Sequence, residues 1–170
     1  MGNIIKVGMA DLNVCKAPDG LTTLGLGSCI GLTLYDPVTK IGGMVHYMLP
    51  DSTKVSNNSN KAKFADTGIE ELLKKVIAAG ASKTRLVAKI AGGAKMFEVS
   101  GLSDVGNIGA RNAEAAKKIL KEKGIRLILS EILRCHNVTR PCVHSLIRCL
   151  RQPAGFLFLL KSVGKPIKTI

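Results

Sequence analysis

The stretch that decides the fold is IGLTLYDPVTKIGGMVHYM, residues 30–48. It contains two runs that are rich in apolar and β-branched residues, Ile30–Tyr35 and Ile41–Met48, and both are predicted as strands. Asp36-Pro37 lies between them and is a turn signal. Strands joined by so short a connection are expected to pair antiparallel, because a parallel pair needs a long crossover. The sequence therefore predicts a β-hairpin.

Further strands and two helices flank this hairpin. Strands are predicted where aliphatic and β-branched residues cluster, and helices where apolar residues recur every three to four positions. The polar stretch Asp51–Lys63 is predicted as a loop. Strands that alternate with helices indicate an α/β protein in which helices cover a sheet. The other predicted strands are Ile4–Ala10, Thr22–Leu26, Arg85–Ile90 and Ile125–Leu129.

The first helix has clear start and stop signals. Asp66 or Thr67 can cap it, and Glu70 follows Thr67 at the spacing of a capping box. Gly80 is a natural terminator. Its apolar stripe is Ile69, Leu72, Leu73, Val76 and Ile77. The second helix is predicted over Ala110–Lys123, with Ala113, Ala116, Ile119 and Leu120 inward and Gly124 at its end.

Composition excludes several classes of protein. The chain has 170 residues, of which 46% are apolar and 22% charged, and it has no apolar run of membrane-spanning length. No leader pattern indicates secretion, so five reduced cysteines in a cytoplasm are the expectation. The net charge of +13 suggests an anionic partner, but it is unevenly distributed. Residues 1–131 hold 18 basic and 12 acidic residues, whereas 132–170 hold 7 basic and no acidic ones.

The sharpest local feature is a cysteine, Cys29, that directly follows a glycine-rich turn, TLGLGS. Backbone N–H groups on such a turn can lower the pKa of a thiol and can hold an oxyanion. The hairpin returns His46 to the vicinity of Cys29, so the two could act as a nucleophile and its base. Thr22, Thr23 and Ser28 are the polar candidates for orienting the imidazole. The plainer interpretation is a small buried cysteine and a structural histidine.

Five sequence blocks, taken in order, resemble the CheD family of chemoreceptor glutamine deamidases. These blocks are TLGLGSC (23–29), GGMVHYMLPDS (42–52), KFADTGIEEL (63–72), KIAGGAKMF (89–97) and NIGARN (107–112). The resemblance covers residues 1–131. It implies an α/β sandwich in a single domain of residues 1–170, with a mixed sheet, two main helices and a cytoplasmic location.

The resemblance also implies a site and an activity. Cys29 matches the family's nucleophile, His46 its base and Thr23 its orienting threonine, while Gly27 and Ser28 would bind substrate or the oxyanion. The implied reaction converts glutamine side chains of methyl-accepting chemotaxis proteins to glutamate, with hydrolysis of glutamyl methyl esters in some members. No cofactor or metal is expected. The implied partners are chemoreceptors and the phosphatase CheC, without nucleic acid or membrane insertion. A non-enzymatic regulator of CheC is the alternative.

Two other family-like blocks are interpreted as structural rather than catalytic. Ala91–Ala94 is expected to shape a groove and pack. Asn107–Asn112 is expected to form the turn and cap before the second helix, and Arg111 is more simply a solvated residue than a partner for a substrate acid.

The pattern departs from the family after Glu131. Residues 132–160 contain three cysteines, two histidines and four arginines and no acidic residue, and Lys161–Ile170 again resembles a family ending. Our hypothesis is that 132–160 is translated out of frame. An intact gene sequence with matching peptide masses would refute it. The rival interpretations are nucleic-acid binding, for which no motif is present, and a zinc site, which lacks the usual paired C-x2-C spacing. The zinc candidates are Cys135, His136, Cys142, His144 and Cys149.

Overall fold

The computed structural model describes residues 2–56, 58–94, 107–132, 147–152 and 155–158, with the backbone alone for 131–132 and the last two ranges. The strands are β1 Ile4–Lys6, β2 Asp11–Lys16, β3 Gly20–Thr23, β4 Ile30–Asp36, β5 Ile41–Tyr47, β6 Val87–Gly92, β7 Arg126–Ile132, β8 Ile147–Gln152 and β9 Gly155–Phe158. The helices are α1 Ala65–Ala78 and α2 Ile108–Glu122, with short 3₁₀ helices at Ser52–Lys54, Lys61–Lys63 and Lys83–Arg85.

The predicted hairpin lies at the centre of a five-stranded sheet with the order β2-β5-β4-β6-β7. Strands β4 and β5 are antiparallel, with Ile30 opposite Tyr47, Gly31 opposite His46 and Asp36 opposite Ile41. This register confirms the hairpin prediction. Strands β6 and β7 are parallel, which makes the sheet mixed and confirms the predicted α/β class.

The central sheet is covered on both faces, and its alternating side chains divide between two cores. On one face, Leu32 and Leu34 of β4 pack with Leu72 of α1 in a cluster that also includes residues of α2. On the other face, Met44 packs with Leu21 in a cluster contributed by the second sheet. That sheet has the order β1-β3-β8-β9. Because every residue of β5 is buried, the strand lacks the clean polar alternation of a half-exposed strand.

The N-terminal strand prediction, Ile4–Ala10, was wrong in extent. Strand β1 ends at Lys6, and the chain turns before Asp11 begins β2, an edge strand that the sequence pattern did not predict. The turn is marked by Ala10, whose φ is +53°, and by the Gly8 N–H, which donates to the Asp11 carboxylate. The loosely alternating, aliphatic-rich stretch concealed this reversal, which separates strands of two different sheets.

Helix α1 has the predicted extent, but its predicted cap is wrong. Phe64 occupies the N-cap position without a side-chain hydrogen bond. The Asp66 carboxylate instead accepts from the Ser52 N–H and hydroxyl, and the Thr67 hydroxyl donates to the Lys61 carbonyl. Both side chains therefore anchor the preceding loop, which the two 3₁₀ helices shape, rather than the helix N-terminus.

The inward faces of both helices agree with the predicted stripes except at one edge of each. In α1 the predicted stripe is buried apart from Ile77, which is 42% exposed. In α2 Ala113, Ala116 and Leu120 are buried and Ile119 is half-buried. No helix in the described part of the chain has both the length and the apolar content needed to cross a membrane.

An ion pair between the buried Asp36 and the exposed Arg85 fixes the turn end of the hairpin. Asp36 is fully buried and accepts from Arg85 through both carboxylate oxygens, at 3.1 Å from Nε and 2.7 Å from Nη2. The N–H groups of Ser82 and Val38 also donate to it. The Arg85 guanidinium holds the pKa of the Asp36 carboxyl well below its usual range, so the carboxylate stays charged despite burial.

The C-terminal stretch contributes a hairpin to the second sheet. Strand β8 pairs antiparallel with β3, with Arg148 opposite Thr22, and also with β9. Of the zinc candidates, only the backbone of Cys149 is described, and the others lie outside the described residues. The out-of-frame hypothesis and the single-domain interpretation both stay predictions.

The turn before β4 is held against the end of β6. The Gly93 N–H donates to the Cys29 carbonyl at 2.9 Å, and the Ala94 N–H donates to the Gly27 carbonyl at 2.8 Å. Gly92 has a φ of +110°, and a Cβ placed there would collide with the Cys29 carbonyl oxygen. The glycine pair therefore permits two backbone segments to approach more closely than side chains would allow.

The close approach at Gly92 can be tested against a second glycine of positive φ. Gly124 has a φ of +69°, but a Cβ at this position would meet no other atom within 4 Å, so an alanine there carries backbone strain alone. We expect Gly124→Ala to lower the free energy of unfolding by about 1 kcal/mol and Gly92→Ala by about 3 kcal/mol. Urea denaturation measures both, and equal losses would show that the contact with Cys29 is unimportant.

Candidate active site

The buried His46 side chain points from the central sheet toward the second sheet. It is 1% exposed, and on β5 it alternates with residues that face the helices. Its Nδ1 lies 2.8 Å from the hydroxyl oxygen of Thr23, which is fully buried at the end of β3. The Thr23 hydroxyl also donates to the Val7 carbonyl at 2.8 Å. One hydrogen-bonded chain therefore joins the two sheets.

These contacts determine the tautomer of His46. A hydroxyl has one proton with which to donate a hydrogen bond. Thr23 uses this proton in the bond to the Val7 carbonyl, which can only accept. The oxygen of Thr23 must then accept a hydrogen bond from the protonated Nδ1 of His46. Nε2 is left as the unprotonated nitrogen, and it has no hydrogen-bond partner in the described structure. Its free lone pair makes His46 a proton acceptor that is already oriented.

Cys29 stands at the start of the strand that pairs with His46. Gly31 lies directly opposite His46, so Cys29 is its diagonal neighbour across the hairpin. The Cys29 side chain is half-buried, and its N–H donates to the Leu26 carbonyl at 2.7 Å. Gly25 and Gly27 supply the positive φ values, +70° and +49°, that close this turn.

Burial shifts both titratable groups toward their neutral forms. It raises the pKa of the Cys29 thiol, and this effect outweighs the backbone hydrogen bond that would lower it. The expectation of a lowered cysteine pKa was therefore wrong. Burial also lowers the pKa of His46. The resting site thus holds a thiol beside a neutral imidazole, rather than a thiolate and an imidazolium.

Of the three polar candidates for orienting His46, Thr23 makes the contact. Thr22 precedes it on β3, and its buried hydroxyl has no hydrogen-bond partner in the described structure. The Ser28 carbonyl accepts a hydrogen bond from Asn112 on α2. Successive residues of a strand point to opposite faces, so only one of the adjacent threonines can face His46.

The predicted oxyanion residues, Gly27 and Ser28, lie in the same turn. The N–H of Cys29 itself is already bonded to the Leu26 carbonyl. Neither the Gly27 N–H nor the Ser28 N–H donates to a backbone carbonyl of the described residues.

One buried residue beside the turn was not predicted from the sequence. Asn112 on α2 is fully buried, and its Nδ2 donates to the Ser28 carbonyl at 3.0 Å and to the Met48 carbonyl at 2.8 Å. The Tyr47 hydroxyl donates to the Asn112 carbonyl at 2.8 Å. The available signal was a polar residue next to Ala113 on the apolar stripe of α2, since a buried amide needs partners. Arg111, its neighbour, is exposed.

Among the described residues, no group of three His, Cys, Asp or Glu side chains is arranged to hold a metal ion. The chemistry available to the described site is that of the thiol, the imidazole, the threonine hydroxyl and the backbone N–H groups.

Comparisons with known proteins agree with the resemblance seen in the sequence. The family model described as CheD chemotactic sensory transduction matches residues 48–139. A protein of Lachnoclostridium phytofermentans, named probable chemoreceptor glutamine deamidase CheD, is 51% identical over 170 residues, which is the whole of both chains. A protein of the same name from Caldanaerobacter subterraneus subsp. tengcongensis is 54% identical over 128 residues, 75% of this chain and 79% of the relative.

A third relative also aligns across the C-terminal stretch. The Desulforamulus reducens protein of the same name is 44% identical over 168 residues, 98% of this chain and 95% of its own length. The family model covers more than half of the chain, and the identity to full-length relatives is high. The chain therefore belongs to the CheD family.

Proposed function

We propose that this protein is a cysteine-dependent amidohydrolase that deamidates specific glutamine side chains of chemoreceptors to glutamate. The names of its relatives support the substrate and the reaction. The observation that carries the chemistry is the hydrogen-bonding of His46, whose Nδ1 bonds to Thr23 while Nε2 stays unpartnered near the Cys29 turn.

The first half of the reaction would form an acyl-enzyme. The Cys29 thiol gives its proton to Nε2 of His46 as Sγ attacks the side-chain carbonyl carbon of the glutamine. The carbonyl oxygen becomes an oxyanion, which the N–H groups of Gly27 and Ser28 would stabilise. His46 then returns the proton to the departing nitrogen. Ammonia leaves, and a thioester to Cys29 remains.

The second half would release glutamate by the same groups. A water molecule gives a proton to Nε2 of His46 and attacks the thioester carbon. The tetrahedral intermediate collapses, the Cys29 sulfur leaves, and the proton returns to it. The net change is the addition of one water and the loss of one ammonia.

Thr23 would act by orienting the imidazole and stabilising its charged form. Its hydroxyl oxygen accepts from Nδ1, so the interaction strengthens when His46 gains a proton at Nε2. The side chains of His46 and Thr23 are buried, and the resting pair of Cys29 and His46 is neutral. Charge therefore develops only during attack, in surroundings whose dipoles are already fixed.

Finer features of the proposal depend on family membership. The same acyl-enzyme could form from a glutamyl methyl ester, with methanol leaving instead of ammonia, so a methylesterase activity is part of the proposal. Binding to CheC and a cytoplasmic location are proposed on the same basis.

The nucleophile is tested by ammonia release from a chemoreceptor fragment. We expect Cys29→Ala to abolish release, because the attacking sulfur is lost. Cys15→Ala is the matched control, since Cys15 is also half-buried, and burial together with Asp19 raises its pKa to about 11. The control variant is expected to keep its activity. Release by Cys29→Ala at the rate of the unmodified protein would show that Cys29 is not the nucleophile, whereas no release by the unmodified protein would favour the non-enzymatic regulator of CheC.

The pH profile tests the neutral resting pair. Acid protonates His46 and removes the proton acceptor, and burial moves that step below the ordinary imidazole value of 6.5. We therefore expect kcat/KM to stay level down to about pH 6.5 and to fall only in more acidic solution. Burial keeps the pKa of the Cys29 thiol above its ordinary value of 9.0, so its alkylation by iodoacetamide should be slow at pH 6. Rapid alkylation at pH 6 would instead indicate a thiolate–imidazolium pair.

A further inference from the structure

We propose that Asn112 is a positioning residue for the deamidation reaction, holding the Cys29 turn and the end of the His46 strand at a fixed separation. This inference rests on the proposed function. The juxtaposition that carries it is one buried carboxamide bonded to both segments.

The position of these bonds is significant because the hairpin ladder stops just before them. The last pair of β4 with β5 is Ile30 with Tyr47. Beyond that pair, the two chains continue as the Cys29 turn and as Met48. Asn112 bonds to the carbonyls of Ser28 and Met48, so it links the two segments where backbone pairing no longer does.

The carboxamide is itself held in place. Both protons of Nδ2 are used, and the Tyr47 hydroxyl donates to the backbone carbonyl of Asn112, which holds the residue from which the carboxamide projects. Burial raises the pKa of Tyr47 well above its ordinary value, as does the neighbouring Cys29, so the hydroxyl remains a donor. Gly109, one turn earlier on α2, packs against the backbone of Gly93 and Ala94. Helix α2 is therefore fixed to the segments that directly follow β5 and β6, beside the Cys29 turn.

The two N–H donors of the Asn112 side chain, rather than its volume, explain why an asparagine occupies this position. Its Oδ1 is buried without a partner in the described structure, which is unfavourable for an amide. An apolar residue would avoid that cost but could not bond to two carbonyls. The two hydrogen bonds go to the carbonyls of Ser28, which precedes Cys29, and of Met48, which follows the strand that carries His46.

The test compares two variants that weaken opposite ends of the same hairpin. Asn112→Ala removes both donors at the open end, and Arg85→Ala removes the partner of Asp36 at the turn end. At a temperature where both are folded, we expect Asn112→Ala to lower kcat by about 10- to 100-fold with little change in KM. Arg85→Ala should keep the kcat of the unmodified protein. Equal kcat values for the two variants would overturn the proposal.

The coupling of Cys29 with His46 provides a second readout. In the unmodified protein, His46→Ala should slow alkylation of Cys29, because the proton acceptor is lost. In the Asn112→Ala background, the same change should have a much smaller effect, since the two groups are no longer aligned. An undiminished effect would show that Asn112 does not position them.

Two further variants keep the test decisive if Asn112→Ala does not fold. Asn112→Asp keeps the shape but places an oxygen against two carbonyl oxygens, and it should lose activity as Asn112→Ala does. Tyr47→Phe removes only the hydroxyl that holds the Asn112 backbone, and we expect kcat to fall by about threefold. An unchanged kcat in Tyr47→Phe would count against the proposal. Ammonia release that survives Cys29→Ala would instead overturn the proposed function, whatever the Asn112 variants do.

Discussion

The antiparallel pairing of β4 with β5 is the constraint on which the rest of the structure depends. It places Gly31 opposite His46 and so brings the histidine strand back to the start of the Cys29 strand. A slip of one residue would turn His46 toward the helices and away from the second sheet, because strand side chains alternate between faces. The Asp36–Arg85 ion pair at the turn and the Asn112 carboxamide at the open end both reinforce this register.

The second requirement is a contact between sheets. The chain of hydrogen bonds from the Val7 carbonyl through Thr23 to His46 crosses the apolar layer that contains Leu21 and Met44. In such surroundings an unpaired polar group is costly, so the bonds fix the imidazole orientation strongly. Within the described structure Nε2 has no partner and can accept a proton, and burial disfavours the charged imidazole that this proton transfer produces.

Close backbone packing is the third element of the site. Gly92 and Gly93 allow the end of β6 to bond to the Cys29 turn, and Gly109 allows α2 to rest on the same segment. The turn is thus enclosed by the end of β6 and by α2, which are both distant from it in sequence. Rigid support of this kind holds the backbone of Gly27 and Ser28 in place, and in the proposed reaction such preorganisation would favour stabilisation of the oxyanion by their N–H groups.

The sequence by itself determined the hairpin, both helices and the proximity of Cys29 to His46, because periodicity and turn residues act over short distances in the chain. It left three candidates for the partner of His46, and it predicted one continuous strand at Ile4–Ala10. Only the tertiary structure decided these points, because they depend on which sheet each segment joins. It also decided the protonation state of the site and the contacts of Asn112, since burial and hydrogen bonds between distant segments exist only once the layers have packed.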